Sequence, residues 1–428
     1  MEIKRDKYLG DLIDRMHNGM IKVVTGVRRC GKTYLLFTLF KKHLHDSGVK
    51  DAQIIGLALD DEENARYRDP AALSKYLRSR IKDDGNRYYI LLDEVQYAIS
   101  ADELASDEPP RLYGVLNGLL RLRNVDVYVT GSNSKLLSTD VMTQFRGRGD
   151  EVNVRPFSFA EFMEGFNGDI YQGWSEYVTF GGMPLTLSMK TDEQKVRYLE
   201  NLFTETYLND IVSRNKLAKT QELDDLVNVL ASTIGALTNP SKIEATFKST
   251  LHSKISANTI AAYISYLEEA FLVEEARRYD IKGRKHIGSP KKYFFVDLGL
   301  RNARLGFRQV EQTHIMENII YNELRMRGYS VDVGVVEKRS KEGGKDYRKW
   351  LEVDFVANLG SARYYLQSAL HLPDAEKIAQ ETASFSEITD NFKKIVLVRD
   401  VMKVSRDESG ILFMSVYDFL LNEDSLSW

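Results

Sequence analysis

The sequence predicts an α/β chain in three parts: a parallel-sheet domain first, a helical middle, and a second α/β unit at the end. Three observations carry this. Short apolar runs alternate with amphipathic helical patterns over residues 1–160, the signature of a parallel sheet with crossover helices. Strand-type runs nearly vanish over residues 161–215 and helical patterns continue to residue 285. Strand-type runs then return after residue 310.

Taken in order, the first twenty residues, MEIKRDKYLGDLIDRMHNGM, are amphipathic and mixed in charge, unlike a secretory signal. Strands are predicted at IKVVTG, QIIGLALD, RYYILLDE, VDVYVTGS and EVNVRPF, with helices such as KTYLLFTLFKKHL and PAALSKYLRSRI between them. FAEFMEGF, GWSEYVTFGGMPLTLSM and EQKVRYLENLFTETYLNDIVSRN read as helices broken at Gly181, Gly182 and Pro184. ELDDLVNVLASTIGAL, NPSKIEATFKS and the stretch from Ser256 continue the helices, with Ser256 and Asn258 as caps. Three short helices followed by the β-like FLVEEARRYD and KKYFFVD fit a winged-helix arrangement, and equally a plain helical lid. THIMENIIYNELRMRGY opens the last unit as an amphipathic helix. The strands SVDVGVVE, LEVDFVANL, ARYYLQSAL and KKIVLVRD follow, and RSKEGGKDYRK reads as a mobile hairpin tip. The expected domains are therefore 1–160, 161–215, 216–300 and 301–428.

At 428 residues the chain is too long for one compact core. Hydrophobic content of 43% and charged content of 28% are ordinary for a soluble globular protein, and no run is long and apolar enough to span a membrane. A single cysteine excludes an internal disulfide framework and fits a reducing cytoplasm. A net charge of -3 argues against whole-chain steering onto nucleic acid, though not against a local basic patch.

The chemistry begins at residues 26–33, GVRRCGKT, between a strand and a helix. This is the G-x-x-x-x-G-K-[ST] pattern. Gly26 and Gly31 let backbone N–H groups close around an anion. Lys32 reaches the β- and γ-phosphates, and the Thr33 hydroxyl serves Mg²⁺. Arg29 and Tyr34 are further candidates for nucleotide contact. In YYILLDEVQ, Asp93 and Glu94 follow directly on an apolar strand, where a parallel sheet binds ligands. Asp93 is a candidate for holding Mg²⁺ through water, and Glu94 for polarising the attacking water. In VYVTGSNSKLL, Ser132 and Asn133 are candidate sensors of the γ-phosphate, or simply the cap of the next helix. Arg146 and Arg148 flank Gly147 in a polar turn. They are candidates for stabilising γ-phosphate charge in cis or across a subunit interface, against the alternative of a solvated turn.

The ordered set TGVRRCGKT, LLDEVQ, TGSNSKLL, FRGR, RPFSFAEF, FGGMP and FFVDLGLRNA resembles the predicted bacterial and archaeal ATPases of the AAA+ superfamily. These join an N-terminal AAA-type module to a C-terminal domain of unknown function. The resemblance implies a P-loop core in which a sensor strand separates the acidic strand from the loop strand. It also implies a winged-helix-like middle and a C-terminal restriction-endonuclease-like fold. Nucleases of that fold carry Asp, then Glu/Gln-x-Lys, on neighbouring strands. Here Asp354 and Gln367 fit the spacing, and Glu317 or Glu323 could add a ligand. Ala369 stands where the lysine belongs, so the site reads as vestigial unless Lys393 or Lys394 moves in from elsewhere.

A basic loop, RRYDIKGRKHIGSPKKY, offers Lys282, Arg284 and Lys285 to a phosphate backbone, or to solvent, or to another domain's acidic face. Together these readings predict an ATP- and Mg²⁺-dependent switch or machine, with DNA, a protein partner and further copies of the chain as candidate partners and no membrane. The alternatives are a nucleotide-gated scaffold with little turnover and, as a minor one, an ATP-regulated nuclease.

Overall fold

The structure is a computed structural model and describes residues 3–104, 106, 108–131, 148–218, 220–308, 311–342 and 345–428. The chain divides into two compact units, Met1–Pro156 with Glu269–Phe271, and Phe157–Glu268 with Leu272–Trp428.

The first unit is built on strands β1 (Ile21–Thr25), β2 (Ile54–Ala58), β3 (Tyr88–Asp93), β4 (Val125–Thr130) and β5 (Gly149–Asn153). All pairings among them are parallel, in the order β2-β3-β4-β1-β5. β1, β3 and nearly all of β4 are buried, which is why they read as unbroken apolar runs rather than alternating ones. A core of Ile21, Val23, Ile90, Leu92, Val127 and Val129 packs against Leu73, Leu77, Leu112 and Leu116 from the flanking helices. The helix after β1 runs as Lys32–Tyr34, a π-type stretch Leu35–Phe40 and Lys41–Asp46. At the other end of β1, Lys22 is wholly buried and ion-paired to Asp126, which also accepts the Tyr128 hydroxyl at 2.9 Å.

The second unit begins with the helices Phe159–Gly165 and Ile170–Phe180, each started by a capping box, and then Asp192–Asn201. The helices Thr220–Ser232, Pro240–Thr250 and Ala257–Glu269 follow. Its sheet holds β6 (Val273–Asp280), β7 (Lys285–Phe295), β8 (Ser330–Glu342), β9 (Lys345–Leu359), β10 (Ala362–Ala369), β11 (Lys393–Val398), β12 (Ser405–Arg406) and β13 (Leu412–Ser415). The order is β12-β13-β11-β10-β9-β8-β6-β7. Helix Gln312–Met326, the antiparallel run β8-β9-β10, helix Ala375–Thr382 and β11, parallel to β10, form an α-β-β-β-α-β unit. The hairpin β6–β7, expected as a wing, is hydrogen-bonded into this sheet through β8. The stretch expected as a loose tip is strand to Glu342 and again from Lys345, because the β8–β9 ladder continues through it.

The motifs FGGMP and FFVDLGLRNA meet in this unit. The buried Asp297 carboxylate caps helix Leu298–Arg304, accepting N–H bonds from Leu300 at 3.0 Å and Gly182 at 2.7 Å. Asn302 donates to the Val178 and Thr179 carbonyls, ending helix Ile170–Phe180 on the same point. Burial pushes Asp297 up to about 6, despite the N–H donors that favour its charge. A carboxyl raised from its unfolded value keeps its proton longer in the folded chain. Its stability contribution is therefore whole below about pH 4 and lost as the pH rises through about 6. Two units are worth about 3 kcal/mol. Asp297→Asn should thus show a flatter fall in stability between pH 4 and 6.5 than the wild type, read from urea midpoints. Parallel curves would mean that Asp297 does not titrate there.

Candidate nucleotide site and the C-terminal charge cluster

The loop after β1 is held close to the chain that leaves β5. Gly26 has φ 136, and a Cβ there would lie 2.0 Å from the Val154 carbonyl oxygen, so only glycine fits. Cys30 is buried with its Sγ 3.2 Å from the same oxygen, a packing role. Buried Arg5 braces both strands of this approach, donating to the Cys30 carbonyl at 3.4 Å and the Arg155 carbonyl at 2.6 Å. Gly31, φ 100, opens the helix, and Arg29, φ 64, is exposed. The Lys32 ammonium donates to the carbonyl oxygens of Gly26 at 3.0 Å and Val27 at 3.1 Å. Tyr34 is exposed on the first turn.

Strand β4 lies between β1 and β3, so the acidic strand is one strand removed from the loop strand, as expected. The two sites still meet. Thr33 Oγ1 donates to Asp93 Oδ2 at 2.7 Å, and Thr130 Oγ1 donates to Asp93 Oδ1. Burial raises Asp93 above the usual carboxylate range, opposed by these two hydroxyls and reinforced by Glu94 and Asp60. Glu94 sits in the left-handed region, φ 50, with its N–H bonded to Thr130 Oγ1 at 3.0 Å. Its carboxylate accepts from the Gln96 side-chain amide. Thr130 and Gln96 were not singled out from sequence, although each lies in a motif that was. The signal for Thr130 was its place one residue past Val129, which pairs with Leu92, one residue before Asp93.

Ser132, Asn133 and Arg146 lie outside the described residues. Arg148 is placed against expectation for a role in cis. Its carbonyl accepts the Ile21 N–H at 2.8 Å, and Gly149 pairs with Ile21 at the start of β1. The phosphate loop leaves from the other end of β1, about 17 Å away at roughly 3.3 Å per residue. No side chain spans that, so within one chain Arg148 does not reach the loop.

In the second unit, Glu317, Asp354 and Gln367 do come together. Asp354 Oδ2 accepts the Ser368 N–H at 2.8 Å, and the Asp354 N–H points at Gln367 Oε1 at 3.4 Å. Lys393 and Lys394 do not join them: they bond the carbonyls of Leu426, Trp428 and Ile388. Glu323 is elsewhere too, paired with Arg327 at 2.7 Å. The lysine present is Lys292 from β7, bonded to Glu317 at 3.0 Å and Glu352 at 2.8 Å. Burial works against its charge, but Glu317, Asp354 and Glu352 hold it above an ordinary lysine. Burial and repulsion from Glu317 push Asp354 well up, with Lys292 acting the other way. Among the described residues no group of three or more His, Cys, Asp or Glu could hold a metal ion. The Lys292 ammonium supplies positive charge to these carboxylates. Removing one partner of a buried pair costs about 3–5 kcal/mol. Lys292→Ala should lose that much in urea unfolding at pH 7.5. A loss under about 1 kcal/mol, typical of exposed pairs, would contradict this role.

Lys282 donates to the Glu337 carbonyl at 2.9 Å and pairs with Glu387 at 3.3 Å, while Arg284 is exposed in the turn between β6 and β7 and Lys285 is exposed at the start of β7. No helix among the described residues is long and apolar enough to cross a membrane.

Comparison with known proteins adds the following. Residues 18–163 match the family model described as an AAA domain, and residues 171–311 match a domain of unknown function. An uncharacterized protein of Haemophilus influenzae is 32% identical over 424 residues, covering 98% of this chain and 98% of that protein. An uncharacterized protein of Methanocaldococcus jannaschii is 28% identical over 386 residues, covering 86% of this chain and 79% of its own. Among solved structures, the Aeropyrum pernix ORC1 protein in complex with DNA overlaps 72% of this chain and 93% of its own, at 16% identity and a TM-score of 0.28. A DNA replication initiation factor overlaps 61% of this chain and 86% of its own, at 15% identity and a TM-score of 0.27. Scores of this size say nothing about ligands or partners.

Proposed function

This chain belongs to the AAA+ ATPase family, and on that premise we propose that it binds ATP with Mg²⁺ at residues 26–33 and hydrolyses it as a nucleotide-driven switch. The observation that supports this most is the 2.7 Å contact of Thr33 with Asp93, which places a hydroxyl and a carboxylate side by side next to the loop. Oxygen ligands of this kind suit a hard cation such as Mg²⁺, which neutralises phosphate oxygens when bound. Thr33 and Asp93 are the residues that would hold it.

The roles of the other residues follow from their positions. Lys32 exchanges its two loop carbonyls for the β- and γ-phosphates. Glu94 takes the proton of the attacking water, and Gln96, bonded to its carboxylate, orients it. Ser132 and Asn133 are proposed sensors of the γ-phosphate, and Arg29 and Tyr34 contact the nucleotide. Arg146 is a proposed γ-phosphate ligand in cis or trans, and Arg148 is one only in trans, from a second copy of the chain. Lys282, Arg284 and Lys285 are proposed contacts to a DNA backbone.

The reading is tested by phosphate release from the full chain with ATP and Mg²⁺, compared with Glu94→Gln. Turnover that exceeds the variant's supports an ATPase. No turnover above background in either protein supports the second reading, a nucleotide-gated scaffold for a protein partner.

A further inference from the structure

We propose that the far half of the β8–β9 hairpin is a second nucleic-acid contact, a basic two-stranded ribbon that enters the major groove of duplex DNA. β6 pairs with β8 only from Val333 to Val335, and β10 pairs with β9 only from Phe355 to Leu359. Beyond those points residues 337–342 and 345–350 pair with each other alone among the described residues. Six residues per strand make a ribbon about 20 Å long. A major groove about 12 Å wide admits such a two-stranded ribbon.

The charges on this ribbon are arranged against its own stability. Lys338 lies directly opposite Lys349, and Arg339 directly opposite Arg348. Like charges opposite one another destabilise a strand pair, and a lone hairpin is marginal in water. The two strands carry six cations (Lys338, Arg339, Lys341, Lys345, Arg348, Lys349) against three carboxylates (Glu337, Glu342, Asp346), and Glu337 serves both arginines, at 2.9 Å and 3.4 Å. Both arginine side chains stay 70% exposed. Trp350, on the same face by strand alternation, is 52% exposed. Lysines on an edge also block unwanted strand pairing, but that task calls neither for facing pairs nor for an exposed tryptophan. A polyanion answers all three features: it relieves the repulsion, pairs with the guanidinium groups and covers the indole. The β6–β7 turn adjoins the base of the ribbon through the bond from Lys282 to the Glu337 carbonyl.

The inference rests on the reading of DNA as a partner, and one titration separates the two. A fluorescent duplex two helical turns long is titrated with the full chain at several salt concentrations. The arms are wild type, a ribbon variant (Arg339→Ala, Arg348→Ala, Lys349→Ala) and a turn variant (Lys282→Ala, Arg284→Ala, Lys285→Ala). The ribbon variant is expected to bind about tenfold or more weaker, with a salt slope shallower by about three. Its melting temperature does not fall, since facing like charges are removed, and its ATP turnover stays at the wild-type value. Tryptophan fluorescence is quenched by duplex in the wild type and not in Trp350→Phe. Unchanged binding by the ribbon variant, with binding lost in the turn variant, overturns the ribbon and spares DNA as partner. Wild-type chain that binds polyglutamate or anionic vesicles but no duplex overturns both.

Discussion

Glu94→Gln is expected to bind ATP as the wild type does and to hydrolyse it about 10²–10⁴-fold more slowly, the usual worth of a general base. The amide keeps the size and hydrogen-bonding shape of the side chain but cannot accept water's proton. Its backbone is fixed independently of the carboxylate, by the left-handed φ and by the N–H bond to Thr130. The substitution should therefore leave the melting temperature unchanged. Asp93 keeps its two hydroxyl donors from Thr33 and Thr130, so nucleotide affinity is also expected to hold. Phosphate release under single-turnover conditions gives the chemical step directly. A variant that turns over within a factor of about three of the wild type would remove Glu94 from the reaction, since no general base contributes so little.

The second large effect is structural. Gly299→Ala should destabilise the second unit by about 3 kcal/mol. A Cβ at Gly299 would lie 2.1 Å from the Phe180 carbonyl oxygen and 2.5 Å from its carbon. These are backbone atoms and cannot swing aside, so helix Leu298–Arg304 must back away from the end of helix Ile170–Phe180. That loosens the Asp297 cap and the bonds from Asn302 at once. Gly10→Ala is the matched control: a Cβ there meets nothing within 4 Å, and alanine favours the helix it lies in. Urea unfolding reads both. Equal midpoints for the two variants would mean that the Gly299 contact relaxes at no cost. The same contact explains why FGGMP and FFVDLGLRNA, though far apart in sequence, both look like signatures: they build one junction.

Much of the first unit was legible because its signals are local. Buried parallel strands are continuous apolar runs, and Gly26, Gly31, Lys32, Thr33, Asp93 and Glu94 announce themselves by their position at strand ends. What escaped depends on register and distance. Arg148 looks like a neighbour of the phosphate loop until parallel pairing puts it at the opposite end of β1. Arg5 braces Cys30 and Arg155, across 25 and 150 residues, and nothing around it in sequence signals this. Lys291 and Lys292 read as two members of one basic loop. Strand alternation sends Lys291 to Glu275 and Lys292 into the cluster of Glu317 and Glu352. Sequence proximity points to Lys393 or Lys394 for the place left open by Ala369, whereas the charge arrives from a different hairpin, on Lys292. The π-type stretch in LLFTLF left no mark, since its apolar pattern serves either helix.

Residues 26–33 with Asp93 are proposed to form a site for ATP and Mg²⁺. Isothermal titration of the full chain with ATP, with and without Mg²⁺, tests it most directly when paired with Lys32→Ala. One site per chain is expected, strengthened by Mg²⁺ and lost in Lys32→Ala, with the variant confirmed folded by a cooperative melt. Binding of equal strength in the wild type and in Lys32→Ala would contradict it.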